Sequence, residues 1–250
     1  MYAVNRQSDH PTRVANNEEV VPNMATRTIP ATEPRPRLSR ERVLRVAIAH
    51  ADAGGLEALT MRRLAEEMGV APMALYRHVA SKDDLIDGMV DVVFGEIDLP
   101  ATGGDWRTAM RQRAISVHDA LSRHRWAIGL MESRANPGPA NLRHHDAVIG
   151  SLRAAGFDME RVAHAYSVLD AYIYGFALTK MNLPFDDTSD IAATAQTMLE
   201  PFPMDAYPNL VAFITDHAMK PGYDFGDEFE YGLEVVLDGL EATRTATSTG

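Results

Sequence analysis

Between Leu59 and Lys82 the segment LTMRRLAEEMGVAPMALYRHVASK can bury its apolar residues only as two short helices on either side of a tight turn. Thr60 is an N-cap residue, Leu64 and Met68 lie four apart on one face, and Ala65 is small enough for a close helix crossing. Gly69 can adopt the left-handed backbone that ends a helix, and Pro72 suits the first position of the next, where its missing N–H has no intrahelical partner anyway. On the second helix Leu75 and Val79 return to a core four residues apart. That leaves Met73, Ala74, Tyr76, Arg77 and His78 facing outward. A helix-turn-helix presenting donors, a phenol and apolar groups in this way is suited to the major groove of DNA.

A formal net charge of -11 opposes such a partner, because phosphate repels an acidic protein. Between Thr60 and Lys82, however, Arg62, Arg63, Arg77 and Lys82 stand against Glu66 and Glu67, giving 4 - 2 = +2. An acidic remainder weakens non-specific binding and leaves more of the affinity to a well-fitted site, with long-range repulsion screened beyond about 8 Å at physiological salt. The 250 residues, 46% hydrophobic, can bury a sizeable core in one or two domains. With no cysteine there is neither a disulfide framework nor a thiolate metal site, and a cytoplasmic location is expected. No signal-peptide-like start and no run of eighteen apolar residues are present, so no membrane partner is expected.

Residues 1–37, with five prolines and no helical periodicity, read as a disordered extension. A minor-groove arm carrying Arg27, Arg35 and Arg37 is the lesser reading. Ser39 can cap a first helix whose stripe, Val43, Leu44, Ala47, Ile48 and Ala51, runs out at Gly54-Gly55. Ser81 and Asp84 form a capping-box-like pair opening another helix, which carries Leu85, Ile86, Met89, Val92, Val93 and Ile97 to about Asp98. The free N–H groups at its start, with Lys82, can hold a phosphate. The break at Leu99-Pro100 places a domain boundary there, giving 38–98 and 99–243, with a tail over 244–250. From Asp105 onward no strand-like alternation occurs, so the fold expected is all-α. Helices are predicted over 105–122, 124–133, 139–155, 159–182, 189–199, 206–219 and 224–243.

The run LSRERVLRVAIAHADAGGLEALTMRRLAEEMGVAPMALYRHVASKDDLIDGMV resembles the DNA-binding domain of the TetR family of transcriptional regulators. Asp105-Trp106, the ALSRHR segment and the LRAAGF turn at Leu152 to Phe157 are similar to a tetracycline-repressor-type C-terminal domain. The resemblance implies a three-helix DNA-binding domain and a helical effector-binding and dimerisation domain in a homodimer that binds double-stranded, palindromic operator DNA and is released by a small molecule. It places Thr60, Arg62, Met73, Ala74, Tyr76, Arg77, His78 and Lys82 at DNA, with Thr60, Tyr76 and Lys82 on phosphates. The repressor's Gln-Pro-Thr recognition start reads Pro72-Met73-Ala74 here, so the operator sequence does not carry over. The magnesium-holding histidine before its Gly-Thr-Arg-Pro segment is absent from Leu130 to Arg134, and none occurs near Gly95 and Glu96. Magnesium–tetracycline therefore does not carry over as the effector, and no metal or cofactor is expected.

Val162, Tyr166, Leu169, Ile173 and Phe176 follow helical spacing, as do Phe225, Phe229, Leu233, Val236, Leu237 and Leu240. Two such helices per subunit suit a four-helix dimer interface, the alternative being intramolecular core. His144-His145-Asp146 reads as a solvated helix face rather than a metal site, since adjacent helical residues point about 100° apart. Trp126, Met131, His164, Asp170, Tyr174, Met181, Met198 and Phe202 are candidates for binding the effector. Asp170 is singled out because a buried carboxylate needs a partner, and the methionines because thioethers conform to irregular ligands. The loop from Asn182 to Ser189 is a lid or merely a turn. The function expected is a ligand-responsive repressor, not an enzyme. A ligand-binding protein without operator binding, and an all-α enzyme, are the alternatives.

Overall fold

The computed structural model describes residues 37–101, 103–183, 197 and 203–245, and every regular element among them is helical. The 1–36 extension, most of the helix expected over 189–199, and Met198 and Phe202 lie outside the described residues. Four helices form a head: α1 (Arg40–Ala58), α2 (Met61–Met68), α3 (Pro72–Leu75) and α4 (Lys82–Gly95). Five more form a body: α5 (Trp106–Arg123), α6 (Pro139–Ala154), α7 (Met159–Met181), α8 (Pro208–Phe213) and α9 (Glu228–Thr245).

In the head each expected cap forms. Ser39 accepts from the Arg42 N–H at 3.2 Å, Thr60 from Arg63 at 3.2 Å and Ser81 from Asp84 at 3.0 Å. Gly69, at φ 67° and ψ 35°, donates its N–H to the carbonyls of Ala65 and Glu66, a left-handed stop that a Cβ would strain. The first helix runs on to Ala58, past the expected end, with a non-helical break at Gly55. The capping box is shifted by one residue, for the Asp84 carboxylate accepts from the Ala80 N–H at 2.7 Å. Arg40 completes the corner, donating to both oxygens of Asp84 at 2.7 and 3.0 Å and to the His78 carbonyl at 2.9 Å. Half exposed, this pair contributes little energy, about 1 kcal/mol or less, but it fixes three chain segments against one another.

Two apolar cores result. Val43, Ala47, Leu59, Leu64, Leu75 and Val79 fill the head together with Leu85 and Met89 of α4. Ile86, Val90, Val93 and Phe94 of the same helix instead join Trp106, Met110, Val117, Leu152, Leu169 and Ile173 in the body. The residues expected to form a dimer interface largely close this second core: Val162, Leu169, Ile173, Phe229, Leu233, Leu237 and Leu240 are buried within the single chain. Periodicity identified the apolar stripe but could not say which surface it meets. The large apolar side chains that α7 and α9 leave exposed are Met159, Val168, Leu178, Tyr231 and Val235. Of the expected 124–133 helix only a 3-10 turn at Arg125–Ala127 forms, and 206–219 divides into α8 and a π turn at Ile214–Ala218.

The α6 N-terminus has no cap of its own, its N-cap position being Gly138. Asp91 of α4 supplies one, accepting from the N–H groups of Ala140 and Asn141, both at 2.9 Å. The Asp91 carboxylate lies so close to Gly138 that a Cβ there would overlap it. Gly138→Ala is therefore expected to expel Asp91 and destabilise the chain by about 1–3 kcal/mol in urea unfolding; an unchanged midpoint would contradict this role for the cap.

Candidate nucleic-acid interface and effector site

The α3 segment is a single helical turn extended by hydrogen-bonded turns, His78 and Val79 both donating to the Leu75 carbonyl. Leu75 and Val79 are completely buried, which orients the intervening residues. Met73 is 73% and Tyr76 43% exposed, Arg77 is exposed, and Ala74 and His78 are half-buried. Thr60 and Lys82, at the N-terminal ends of α2 and α4, are exposed on the same head. Arg62 is exposed and held by Glu66 at 2.9 Å. Among the described residues no carboxylate pairs with Arg77 or Lys82, so both cations keep their charge for an external anion.

Three joints tie this head to the body. At one, Asp91 caps α6 as described. At another, Arg134 donates to Asp87 and lies 3.4 Å from Asp83, both on α4. At the third, buried His124 places Nδ1 2.8 Å from Asp52 of α1 and Nε2 3.1 Å from Glu96, and the Trp126 indole N–H donates to Asp52 at 2.7 Å. Burial works to raise the Glu96 pKa, but hydrogen bonds from Arg123 and His124 hold it below its ordinary value. Sequence reading missed this third joint because Asp52, Glu96 and His124 are remote in the chain and form no motif.

The body contains a buried charge centre. Arg113 of α5 is 1%, His144 of α6 0% and Asp170 of α7 7% exposed. Arg113 Nη1 lies 2.6 Å from Asp170 Oδ1, and its Nε and Nη2 lie 3.2 and 3.1 Å from His144 Nε2. The guanidinium also stands 5.8 Å from the Tyr166 ring centroid, and Tyr166 contacts His145. At the outer end the Tyr174 hydroxyl donates to exposed Glu132 at 3.0 Å. Burial, followed by the Arg113 and His145 charges, pushes His144 down to about 3. Burial, followed by the negative charge of Asp170, raises the phenols of Tyr166 and Tyr174, so both stay protonated donors.

This corrects the reading of His144 as a solvated residue: only Asp146 of the triplet is exposed, and the side chains that meet His144, Phe94 of α4 and Arg113 of α5, are invisible from α6 alone. No group of three or more His, Cys, Asp or Glu among the described residues is placed to hold a metal. Of the candidate effector residues, Asp170 and Tyr174 meet at the charge centre and Met131 is buried in the body core. Trp126 and Met181 line a separate groove of about 710 Å³ beside α1. His164 is exposed on α7, 3.8 Å from Glu160, and joins neither group. Arg113 and His144 were not among the candidates, and no sequence signal marks an arginine on an amphipathic helix as buried.

Comparison with known proteins follows the same division. Residues 43–89 match the family described as bacterial regulatory proteins, tetR family, and residues 99–244 match the tetracyclin repressor-like C-terminal domain. The chain is 32% identical to the HTH-type transcriptional repressor DrrR1 of Streptomyces coeruleorubidus over 85% of its own length and 80% of that protein. It is 28% identical to the class C tetracycline repressor protein of Escherichia coli, over 85% and 94%. Among solved structures, the Streptomyces coelicolor TetR family protein ActR in complex with actinorhodin superposes with a TM-score of 0.69 at 27% identity, covering 84% of this chain and 100% of that one. A possible TetR family regulator from Streptomyces coelicolor A3(2) gives 0.67 at 33% identity, covering 82% and 100%.

The depressed His144 pKa makes stability depend on pH in a definite direction. Its folded value, about 3, lies below the ordinary 6.5, so on acidification the unfolded chain takes up the proton first. The contribution is complete above pH 6.5 and is lost as pH falls toward 3, amounting to about 2 kcal/mol by pH 5. Urea midpoints measured at pH 7 and pH 5 should separate in the native chain and much less in His144→Asn. Parallel profiles would show that His144 titrates normally.

Proposed function

The chain belongs to the TetR family of bacterial regulators, and from that premise we propose that it is a ligand-responsive, homodimeric transcriptional repressor that leaves a palindromic operator when a small molecule occupies the body. The observation that carries this reading is the burial of Leu75 and Val79 beneath exposed Met73, Tyr76 and Arg77, which commits that surface to something outside the chain. On this reading Arg77, with Met73, Ala74 and His78, meets base edges, while Thr60, Arg62, Tyr76 and Lys82 hold phosphates. The functional division lies at 98/99. Exposed Val168, Leu178, Tyr231 and Val235 on α7 and α9 supply the apolar part of the dimer contact.

Release is a coupling free energy between two sites, and it needs a mechanical link. The Asp91 cap, the Arg134 pairs and the His124 clamp provide one, because a shift of α6 or of the 124–134 turn moves α1 and α4. A solved relative in complex with actinorhodin supports a small-molecule effector, which on this reading occupies the body. No helix among the described residues is long and apolar enough to cross a membrane. On the proposed reading the protein acts in the cytoplasm as a regulator, not as an enzyme.

Footprinting the purified chain on the DNA upstream of its own coding sequence, while screening small molecules for release, tests site and switch together. Two half-sites centred about 34–36 Å apart, or a multiple of that, are expected for a twofold dimer. No protection at any salt concentration would overturn the regulator reading. Lys82→Ala should weaken binding to all sequences and reduce the slope of log affinity against log salt by about one. Arg77→Ala should in addition blur preference at one base position. Equal losses on operator and random DNA would remove Arg77 from base reading.

A further inference from the structure

His124 ends α5, and its buried ring has a carboxylate at each nitrogen. Nδ1 lies 2.8 Å from Asp52 Oδ1 on α1, and Nε2 lies 3.1 Å from Oε2 of Glu96, the residue that closes the C-terminal end of α4. An ionised carboxylate only accepts, so both contacts are hydrogen bonds only when both ring nitrogens carry protons. That species is the imidazolium. Against the burial that works to raise it, hydrogen bonds from Arg123 and His124 hold Glu96 below the usual carboxylate range, so this partner stays an anion near neutrality. The C-terminal end of α5 also favours a positive charge at the ring. Each oxygen that faces His124 has a second donor: Asp52 Oδ1 takes the Trp126 indole N–H at 2.7 Å, and Glu96 Oε2 takes Arg123 at 2.9 Å. The next charges outward are Asp98 and Asp119, which line a cleft with Glu96 and Arg123, and Arg125, which lines the groove beside Asp52.

We propose that this bridge is a proton-operated latch on the end of α4, closed by the charged ring and opened on the Glu96 side when the ring loses a proton. A neutral ring keeps one N–H. The shorter contact, to Asp52, retains it, and the Nε2 lone pair is left facing the Glu96 carboxylate. His124 is buried, so relief comes from movement of Glu96, which is part exposed and stays tethered to Arg123. Glu96 directly follows Val93 and Phe94, by which α4 is anchored in the body, whereas Asp52 belongs to the first helix of the head. The ring is therefore a polar path from the head to the pivot of α4. Unperturbed histidine changes charge between about pH 5 and 8, which makes the proton a second input to the equilibrium that an effector biases. Acid favours the arrangement of head and body described above, and mild alkali frees α4 from it.

The test uses the full-length dimer without DNA or effector, so this inference and the ligand-responsive reading can fail separately. Arg45→Cys, exposed on α1, carries a spin label for distances between the two heads, measured at about pH 6 and about pH 8.5. One separation is expected at the lower pH. At the higher pH a second, broader population should appear, the ratio of open to closed arrangements having risen about tenfold with the loss of a charge-assisted hydrogen bond. His124→Gln, which has no proton to lose, should show the broad population at both pH values, whereas His50→Gln, which removes the histidine that meets Glu67 of α2, should respond as the native chain does. Nitrogen NMR of the His124 ring in the native chain reads its protonation directly and does not depend on how well the variants fold. Two ring protons are expected at the lower pH and one, on Nδ1, at the higher. An unchanged distance distribution, a response that survives His124→Gln or is lost in His50→Gln, or a ring whose proton count is the same at both pH values would each overturn the latch.

Discussion

Leu85 and Met89 of α4 face the core of the head, while Ile86, Val90, Val93 and Phe94, on the adjoining face, help fill the core of the body. One helix thus belongs to two hydrophobic interiors, and neither can repack without the other registering it. Close-packed interiors do not deform smoothly; they hold or change to another arrangement. The orientation of α3, fixed through Arg40, Asp84 and the His78 carbonyl at the start of α4, depends on where α4 lies. Recognition and response are consequently one mechanical problem.

The polar joints act differently from the apolar ones. The Asp91 cap on α6, the Arg134 contacts on α4 and the His124 bridge from Asp52 to Glu96 are partly exposed, so each contributes modest energy. Their effect is geometric, because they set distances between elements that apolar contact alone would let slide. The Arg113–His144–Asp170 centre has the opposite character: it is buried, incompletely satisfied and unfavourable for the fold when compared with an apolar replacement.

The local signals were fully legible. Thr60, Ser81, Gly69 and Pro72 act through backbone groups within a few residues of themselves, and the structure uses each as its type requires. Leu75 and Val79 could be assigned to the interior from spacing alone, and with them the outward set of α3. Surfaces shared between distant segments were not legible. The stripes on α7 and α9 were visible, but whether they meet a partner or their own subunit depends on helices elsewhere in the chain. Arg113 and His144 look like ordinary surface residues until α5, α6 and α7 are brought together. The capping role of Asp91 is equally hidden, since the helix it caps begins about fifty residues later.

Pulsed electron resonance distances between the two heads of the dimer address the α4 linkage most directly. The chain has no cysteine, so a single exposed position on α1, Arg45→Cys, can carry a spin label without competing sites. The expected result is one separation when operator is bound and a distinct one when a releasing compound occupies the body, with Asp91→Ala narrowing the difference. Identical distance distributions with operator and with the releasing compound would contradict transmission through α4.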